Sequence, residues 1–138
     1  MSVFYPMLTL VLFTCIICLI LGLSRLISIK NGEVNPKQYR LMSGYEEPVH
    51  LKKLNRNYLN LFEIPVLFYI AGCVMLALKI ETPTLIALAW AFVVVRFIHS
   101  YIHITYNHPL HRFLIFGVSL LIVVAMWIMI ALNLSSMS

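Results

Sequence analysis

The sequence predicts an all-α integral membrane protein, a bundle of four transmembrane helices in one domain over residues 1–138. Of the 138 residues, 62% are hydrophobic and only 11% are charged, whereas a soluble domain is nearer half apolar and a quarter charged. Four apolar runs are each close to the ~20 residues that a helix needs to cross a bilayer. Most Lys and Arg residues lie near two of the three connections between these runs, as expected of a membrane protein.

The predicted helices span approximately residues 3–29, 54–79, 83–106 and 111–134. The first carries no charge before Arg25, so it lacks the basic start of a signal peptide and we interpret it as a retained helix. Cys15 and Cys18 in this helix, and Cys73 in the second, lie in apolar runs that disfavour a thiolate. We predict that these cysteines are packing residues.

The second helix carries a polar stripe near its start. Arg56, Asn60 and Glu63 stand at i, i+4 and i+7, which is one face of a continuous helix. Pro65 follows and should kink the helix, because proline lacks the N–H that the helix interior needs. Gly72 would let a neighbouring helix approach closely.

The third helix carries the second polar stripe, Arg96, His99 and His103, at i, i+3 and i+7. Ionisable side chains inside an apolar run are costly in hydrocarbon, so they indicate a functional site by default. The segment 107–109 contains a proline and ends this helix, and Arg112 opens the fourth. The short connection predicts that the third and fourth helices are antiparallel neighbours.

The net charge of +5 is distributed unevenly. Nine of the ten Lys and Arg residues lie around the first loop and the third connection, and Lys79 in the second loop is the exception. The positive-inside rule therefore predicts that loops one and three are cytoplasmic and both termini are outside. At 1.5 Å per residue, Glu63 lies roughly 10 Å beyond Arg56 along its helix, and Arg96 roughly 15 Å before the end of its own. Both stripes then fall in the cytoplasmic half of the bilayer. Nucleic acid is a poor candidate partner, because the basic charge borders a membrane.

Together these polar residues could line one cavity open to the cytoplasm. Three guanidiniums against one carboxylate suit an anion, since arginine binds carboxylates bidentately. Two other interpretations stay open: Glu63 and Arg96 could pair and hold the bundle together, and Arg112 could extend freely to the interface. The cavity residues are Arg56, Asn60, Glu63, Arg96, His99, His103 and Arg112.

A metal site is the weaker interpretation of the histidines. His99 and His103 have the i, i+4 spacing of a helical metal pair, but structural zinc needs four ligands and catalytic zinc three. The chain has only five histidines, and it has no aspartate. We therefore predict no metal, and keep metal or haem binding as a minor alternative.

The order of these polar residues resembles the MAPEG family, the membrane-associated proteins in eicosanoid and glutathione metabolism. The resemblance is carried by Arg56-x-x-x-Asn60-x-x-Glu63 and a following proline, then by Arg96-x-x-His99-x-x-x-His103, and then by Arg112. The resemblance extends over nearly the whole chain, because the length, the four spans and the long basic first loop also match. The run Asn60-Leu-Phe-Glu-Ile-Pro-Val-Leu-Phe-Tyr69 looks closest to the bacterial branch.

The resemblance implies a homotrimer of four-helix bundles in a bacterial inner membrane, with glutathione bound between subunits in the cytoplasmic leaflet. Arg112 matches the arginine to which the family attributes thiolate stabilisation, so it would be the catalytic residue. His103 falls where the eicosanoid enzymes carry a tyrosine, and Phe113 where some members have a serine. The residues that would hold glutathione or brace its site are Arg25, Arg56, Asn60, Glu63, Arg96, His99 and His103.

The implied activity is that of a glutathione transferase or peroxidase, with glutathione as co-substrate and a lipophilic electrophile arriving from the bilayer. A free thiol has a pKa near ~8.5, and lowering it by ~1.5 units needs about 2 kcal/mol, within reach of one guanidinium in a partly dry site. The alternative is a non-enzymatic structural or accessory membrane subunit, whose polar stripes only bind helices together or hold a lipid headgroup.

Overall fold

The computed structural model describes residues 2–41 and 46–137, and all regular secondary structure in these residues is helical. This confirms the all-α prediction. The helices are α1 (Phe4–Lys30), α2 (Gln38–Leu41), α3 (Val49–Asn60), α4 (Ile64–Leu78), α5 (Pro83–Ile104) and α6 (Pro109–Met137).

Four helical segments of the described chain are long and apolar enough to cross a membrane. Two of them are α1 and α5, and α3 and α4 together form another, Val49–Leu78. The last is Pro109–Ser136 in α6. The predicted four-span fold class is therefore confirmed.

The second span is broken between α3 and α4. α3 ends at Asn60, and α4 starts at Ile64 with Pro65 in its first turn. Between them Glu63 has φ −86° and ψ −97°, outside the helical region. Pro65 has no N–H to bond the carbonyl four residues earlier, and its ring clashes with that carbonyl, so the proline is tolerated only in the first turn of a new helix. The sequence predicts a kink at Pro65, and the structure instead has a complete interruption of the helix between Asn60 and Ile64. The prediction that Arg56, Asn60 and Glu63 share one helical face is wrong for Glu63, because Glu63 lies between the helices.

α5 occupies the centre of the bundle and contacts α1, α3 and α6. Its core contact with α4 includes Phe68 and Phe92, two fully buried rings stacked at 4.5 Å with an interplanar angle of 18°. Such aromatic pairs add to the stabilisation from burial alone. The predicted contact between the third and fourth spans is confirmed, since α5 packs extensively on α6.

α1 lies at the edge of the bundle and is fastened at its N-terminus. Glu81 in the loop before α5 accepts hydrogen bonds from Ser2 Oγ and from the backbone N–H of Val3, both at 2.7 Å. Gly72 of α4 is buried beside α1, and a Cβ at this position would overlap the side chain of Met7. The glycine therefore permits the close helix approach that the sequence predicts.

The three cysteines are free and exposed on the surface of the chain. The prediction that they pack in the interior is therefore wrong within the described chain. α1 is apolar on every side, so its sequence contains no periodicity that separates a core face from an outer one.

Candidate functional site

The C-terminus of α3 meets the middle of α5 at Asn60. Its carbonyl oxygen accepts a hydrogen bond from Arg96 Nη2 at 2.6 Å. Its side-chain Nδ2 donates to the carbonyl oxygen of Arg56 at 2.8 Å and lies 3.4 Å from His103 Nε2. The last carbonyls of a helix have no partner within the helix, so the buried guanidinium satisfies one of them where α3 is interrupted.

Arg96 is fully buried, and its Nε and Nη1 atoms have no hydrogen-bond partner among the described residues. Within that part of the chain the one ion pair joins Arg25 Nε to Glu47 Oε1 at 3.9 Å. The Glu63–Arg96 ion pair that the sequence left open is therefore not formed within the chain. Arg96 therefore stabilises the helix break through Nη2, while its Nε and Nη1 remain available as hydrogen-bond donors.

His99 and His103 are buried one turn apart on α5, with ring centroids 5.8 Å apart. Asn60 Nδ2 already donates to the Arg56 carbonyl, so the amide is oriented with N–H groups toward His103. His103 Nε2 then acts as acceptor and its Nδ1 carries the proton. The Nδ1 atoms of both rings have no hydrogen-bond partner in the described chain.

A pocket of about 240 Å³ opens between α5 and α6 beside these histidines. Asn60, His99 and Arg112 supply polar groups, and the remaining wall is apolar or aromatic. A concave site with a few convergent polar groups in an apolar surround is the usual form of a small-molecule site. We call it the arginine pocket; its lining residues are Asn60, His99, Pro109, Arg112, Phe113 and Phe116.

Arg112 lies in the first turns of α6 with its guanidinium partly buried. Its Nη1 donates to Asn107 Oδ1 at 3.0 Å, and its Nε has no hydrogen-bond partner among the described residues. No carboxylate in that part of the chain pairs with it. The position at a helix N-terminus gives a cation no favourable dipole interaction. The pocket therefore contains an uncompensated positive charge.

A second pocket, of about 400 Å³, lies at the start of α3. Lys52, Lys53 and Arg56 make it strongly basic, and Glu47 is its carboxylate. Asn107 lines this basic pocket and is also bonded to Arg112, so the two pockets adjoin at Asn107. The basic pocket is lined by Glu47, Val49, Lys52, Lys53, Asn55, Arg56 and Asn107.

Arg25 does not reach the arginine pocket. Its Nη2 donates to Asn55 Oδ1 at 3.0 Å, and its guanidinium lies 5.1 Å from the ring centre of Tyr39. Tyr39 in turn donates to Glu47 at 3.4 Å, and burial, with a further contribution from Glu47, raises the tyrosine pKa. Arg25 therefore fastens the first loop to α3 beside the basic pocket.

The structure brings together five of the eight predicted site residues around the α3 terminus: Asn60, Arg96, His99, His103 and Arg112. Arg56 lines the adjoining basic pocket. The Glu63 side chain is exposed on the outer surface and forms no hydrogen bond or ion pair with the described residues, while its backbone carbonyl oxygen accepts from the Val66 N–H at 3.3 Å.

The polar stripes of the sequence do not include two asparagines that the structure makes prominent. The segment that contains Asn107 predicts only a helix stop, although asparagine also tolerates a left-handed backbone. Asn57 is fully buried, and both polar atoms of its amide lack a partner among the described residues. The sequence could have indicated Asn57, because it follows Leu51 and Leu54 at helical spacing and is a polar residue on an otherwise apolar helix face.

The histidines do not assemble into a recognisable metal centre. No group of three or more His, Cys, Asp or Glu side chains in the described residues is placed to hold a metal ion. His99 and His103 instead contact Asn60 and the aromatic wall of the arginine pocket. The donor set is incomplete for zinc, which needs at least three protein ligands.

Comparison with protein-family models matches the MAPEG family over residues 3–132, nearly the whole chain. The chain belongs to the MAPEG family. Searches among curated proteins and among solved structures found no match. Family membership and four apolar spans together make this MAPEG protein an integral membrane protein.

Proposed function

We propose that this MAPEG protein binds glutathione and activates its thiol as a thiolate beside Arg112, acting as a transferase or peroxidase on lipophilic electrophiles. The observation that carries the proposal is the Arg112 guanidinium, which lies in the wall of the arginine pocket without a carboxylate partner in the described chain. Membership of a family associated with glutathione metabolism supports glutathione as the thiol.

The two adjoining pockets match the charges of glutathione. The tripeptide has two carboxylates, which suit Lys52 and Arg56 in the basic pocket. Its ammonium group suits the Glu47 carboxylate on the same wall, which would share it with Arg25 and Tyr39. The central cysteine would then pass Asn107 and enter the arginine pocket, with its sulfur near Arg112.

The thiol chemistry follows from that placement. A guanidinium stays protonated at all accessible pH values, so it stabilises the thiolate without donating its own proton. The thiol proton is released to water. In a transferase step the thiolate sulfur forms a bond to an electrophilic carbon, and the electron pair of the bond that breaks leaves with the displaced group or is protonated on the acceptor. In a peroxidase step the thiolate attacks the outer oxygen of the hydroperoxide, the O–O bond breaks to release the alcohol, and a second glutathione displaces the hydroxyl from sulfur to give the disulfide and water. Phe113 and Phe116 offer an apolar surface for an acceptor that arrives from the lipid.

The proposal includes a homotrimer with the site completed by a neighbouring subunit. Arg56 and Glu63 are exposed, although both lie within the second apolar span. An unpaired carboxylate facing lipid is costly, so a neighbouring subunit that covers Glu63 would remove that cost. Only 17% of the most apolar stretch of α1 is buried within the chain, which leaves a broad helical surface for subunit contacts.

The charge distribution supports the orientation that the sequence predicts. Both pockets lie on the side of the bundle that carries loops one and three, together with most Lys and Arg residues. By the positive-inside rule this side would be cytoplasmic. The resemblance to bacterial members is consistent with an inner-membrane protein that takes glutathione from the cytoplasmic side.

The test is glutathione-dependent conjugation of a soluble aromatic electrophile, and reduction of a lipid hydroperoxide, by detergent-solubilised protein. Arg112→Ala should abolish turnover, whereas the size of the assembly by light scattering stays unchanged. Arg112→Lys keeps the charge without the planar fork and should retain part of the activity. Full turnover in Arg112→Ala would remove the arginine from the thiol site. Absence of thermal stabilisation by millimolar glutathione would instead favour a structural or accessory membrane subunit.

A further inference from the structure

Asn107 occupies the connection between α5 and α6 in a conformation that few residues adopt. Its φ is +53°, in the left-handed region, which asparagine and glycine tolerate best. Its backbone N–H donates to the carbonyl oxygen of Ile102 at 2.8 Å, and so closes the end of α5. The backbone therefore holds the Asn107 side chain in a defined direction.

The connection is also held from outside by α3. Lys53 Nζ donates to the carbonyl oxygen of Thr105 at 2.7 Å, and the Thr105 hydroxyl donates to the carbonyl oxygen of Tyr101 at 2.6 Å. These bonds join the last turn of α5 to the helix that forms the basic pocket. Asn107 is thus mounted on a segment that α3 and α5 both restrain.

The side chain of Asn107 is the one hydrogen-bond partner of the Arg112 side chain within the described residues. Its Oδ1 accepts from Nη1 at 3.0 Å, while Nε of the same guanidinium is buried without a partner. A flexible arginine side chain has many rotamers, and a single acceptor five residues away selects among them.

The acceptor is also neutral, and this affects the chemistry. A carboxylate at the same place would form an ion pair with Arg112 and compensate the charge that an incoming anion needs. An amide oxygen orients the guanidinium and leaves its full charge available. Orientation without neutralisation is the property that a thiolate-stabilising arginine requires.

We propose that Asn107 is a positioning residue that orients the Arg112 guanidinium toward the glutathione sulfur and preserves its positive charge. This inference rests on the proposed function, and it adds a residue outside the predicted polar stripes. Asn107 acts through Arg112 and does not itself take part in bond formation. Because it also lines the basic pocket, it stands where a ligand that spans both pockets would pass.

The experiment uses Asn107→Asp and Asn107→Gly in the full-length, detergent-solubilised protein. Aspartate keeps the acceptor and tolerates the left-handed backbone, but adds a negative charge. Glycine keeps the backbone conformation and removes the acceptor. Tyr106→Phe is the matched control, because it removes a hydroxyl that contacts His111 in the same connection and leaves Arg112 untouched.

The readout is the pH titration of the bound glutathione thiolate by its ultraviolet absorbance, with kcat and KM measured beside it. We expect Asn107→Asp to raise the titration midpoint by about one pH unit, since the new carboxylate competes for the guanidinium. Asn107→Gly should raise the midpoint less and lower kcat by about tenfold, with KM for glutathione nearly unchanged. Tyr106→Phe should titrate as the unsubstituted protein does.

The outcomes separate this inference from the proposed function. If the unsubstituted protein forms no thiolate signal with glutathione, the proposed function fails, and the role of Asn107 falls with it. If that protein gives the signal and both Asn107 variants titrate at the same pH, Arg112 does not need Asn107, and only the positioning role is wrong. A midpoint raised equally by both variants would contradict the argument from charge.

Discussion

Arg96 on α5 donates a 2.6 Å hydrogen bond to the backbone carbonyl oxygen of Asn60, the last residue of α3. A helix interrupted inside an apolar span leaves carbonyls without partners, and in hydrocarbon each one is costly. The guanidinium satisfies one of these groups, and its charge interacts favourably with the C-terminal end of the helix dipole. The helix break and the buried arginine therefore depend on each other.

The first prediction follows from this bond. Arg96→Met should lower the free energy of unfolding by about 1–3 kcal/mol, because the Asn60 carbonyl is left buried without a donor. Arg96→Lys keeps one donor and should lose less. Thermal unfolding in detergent, followed by circular dichroism, measures both. A methionine variant as stable as the unsubstituted protein would show that burying the guanidinium costs as much as its hydrogen bond contributes.

The second prediction concerns His103 and the amide of Asn60. His103→Leu removes the acceptor 3.4 Å from Asn60 Nδ2, so one amide N–H loses its partner and the amide can rotate away from the arginine pocket. We expect glutathione affinity to fall by about fivefold, the equivalent of one hydrogen bond. Isothermal titration calorimetry measures the change. His103→Gln places an amide oxygen near the same point and should recover most of the affinity; a glutamine variant as weak as leucine would argue for a role of the imidazole ring itself.

The third prediction is a pH dependence that arises on the opposite side of the bundle. Glu81 accepts hydrogen bonds from Ser2 and from the Val3 N–H, and these lower its pKa in the folded protein. A carboxyl group whose pKa is depressed by folding stabilises the protein above its unfolded pKa, and this contribution is lost as the pH falls through the folded value. The thermal midpoint should therefore decrease on acidification below about pH 4.5.

Glu81→Gln is the control for that pH effect. Glutamine can still accept a hydrogen bond, but it does not titrate, so the acid-dependent part of the midpoint shift that Glu81 contributes should disappear. Glu33→Gln removes an exposed carboxylate that accepts no hydrogen bond from the residues the structure describes, and it should leave the pH profile unchanged. Identical profiles for Glu81→Gln and the unsubstituted protein would mean that other carboxylates dominate the acid response.

Much of the fold could be predicted because its strongest signal is local. A run of about twenty apolar residues must satisfy its backbone internally in a bilayer, so it is helical wherever it lies. The spacing of Arg96, His99 and His103 predicts that they share one helical face. The structure agrees, because α5 is continuous through all three residues. The same argument failed at Glu63, since the break before Pro65 changes the direction of every following side chain.

The candidate site was predictable only in part. The arginine and histidine positions stand out because ionisable residues are rare in apolar runs. Asn107 lies outside those runs, in a turn where asparagine is common, and its contact with Arg112 depends on a left-handed backbone that a sequence pattern does not specify. Arg25 was assigned to the site only through the family resemblance, as a looser match than the other arginines, and the structure places it beside Asn55 and Glu47.

The sequence by itself determined the four helical spans, the basic character of loops one and three, and the polar stripe on α5, because each follows from the periodicity and solvation of one segment. Only the tertiary structure decided that Asn60 contacts both Arg96 and His103, that Arg112 is held by a neutral side chain, and that Glu63 faces outward. These relationships depend on how helices are broken and packed against one another, and packing joins residues that are distant along the chain.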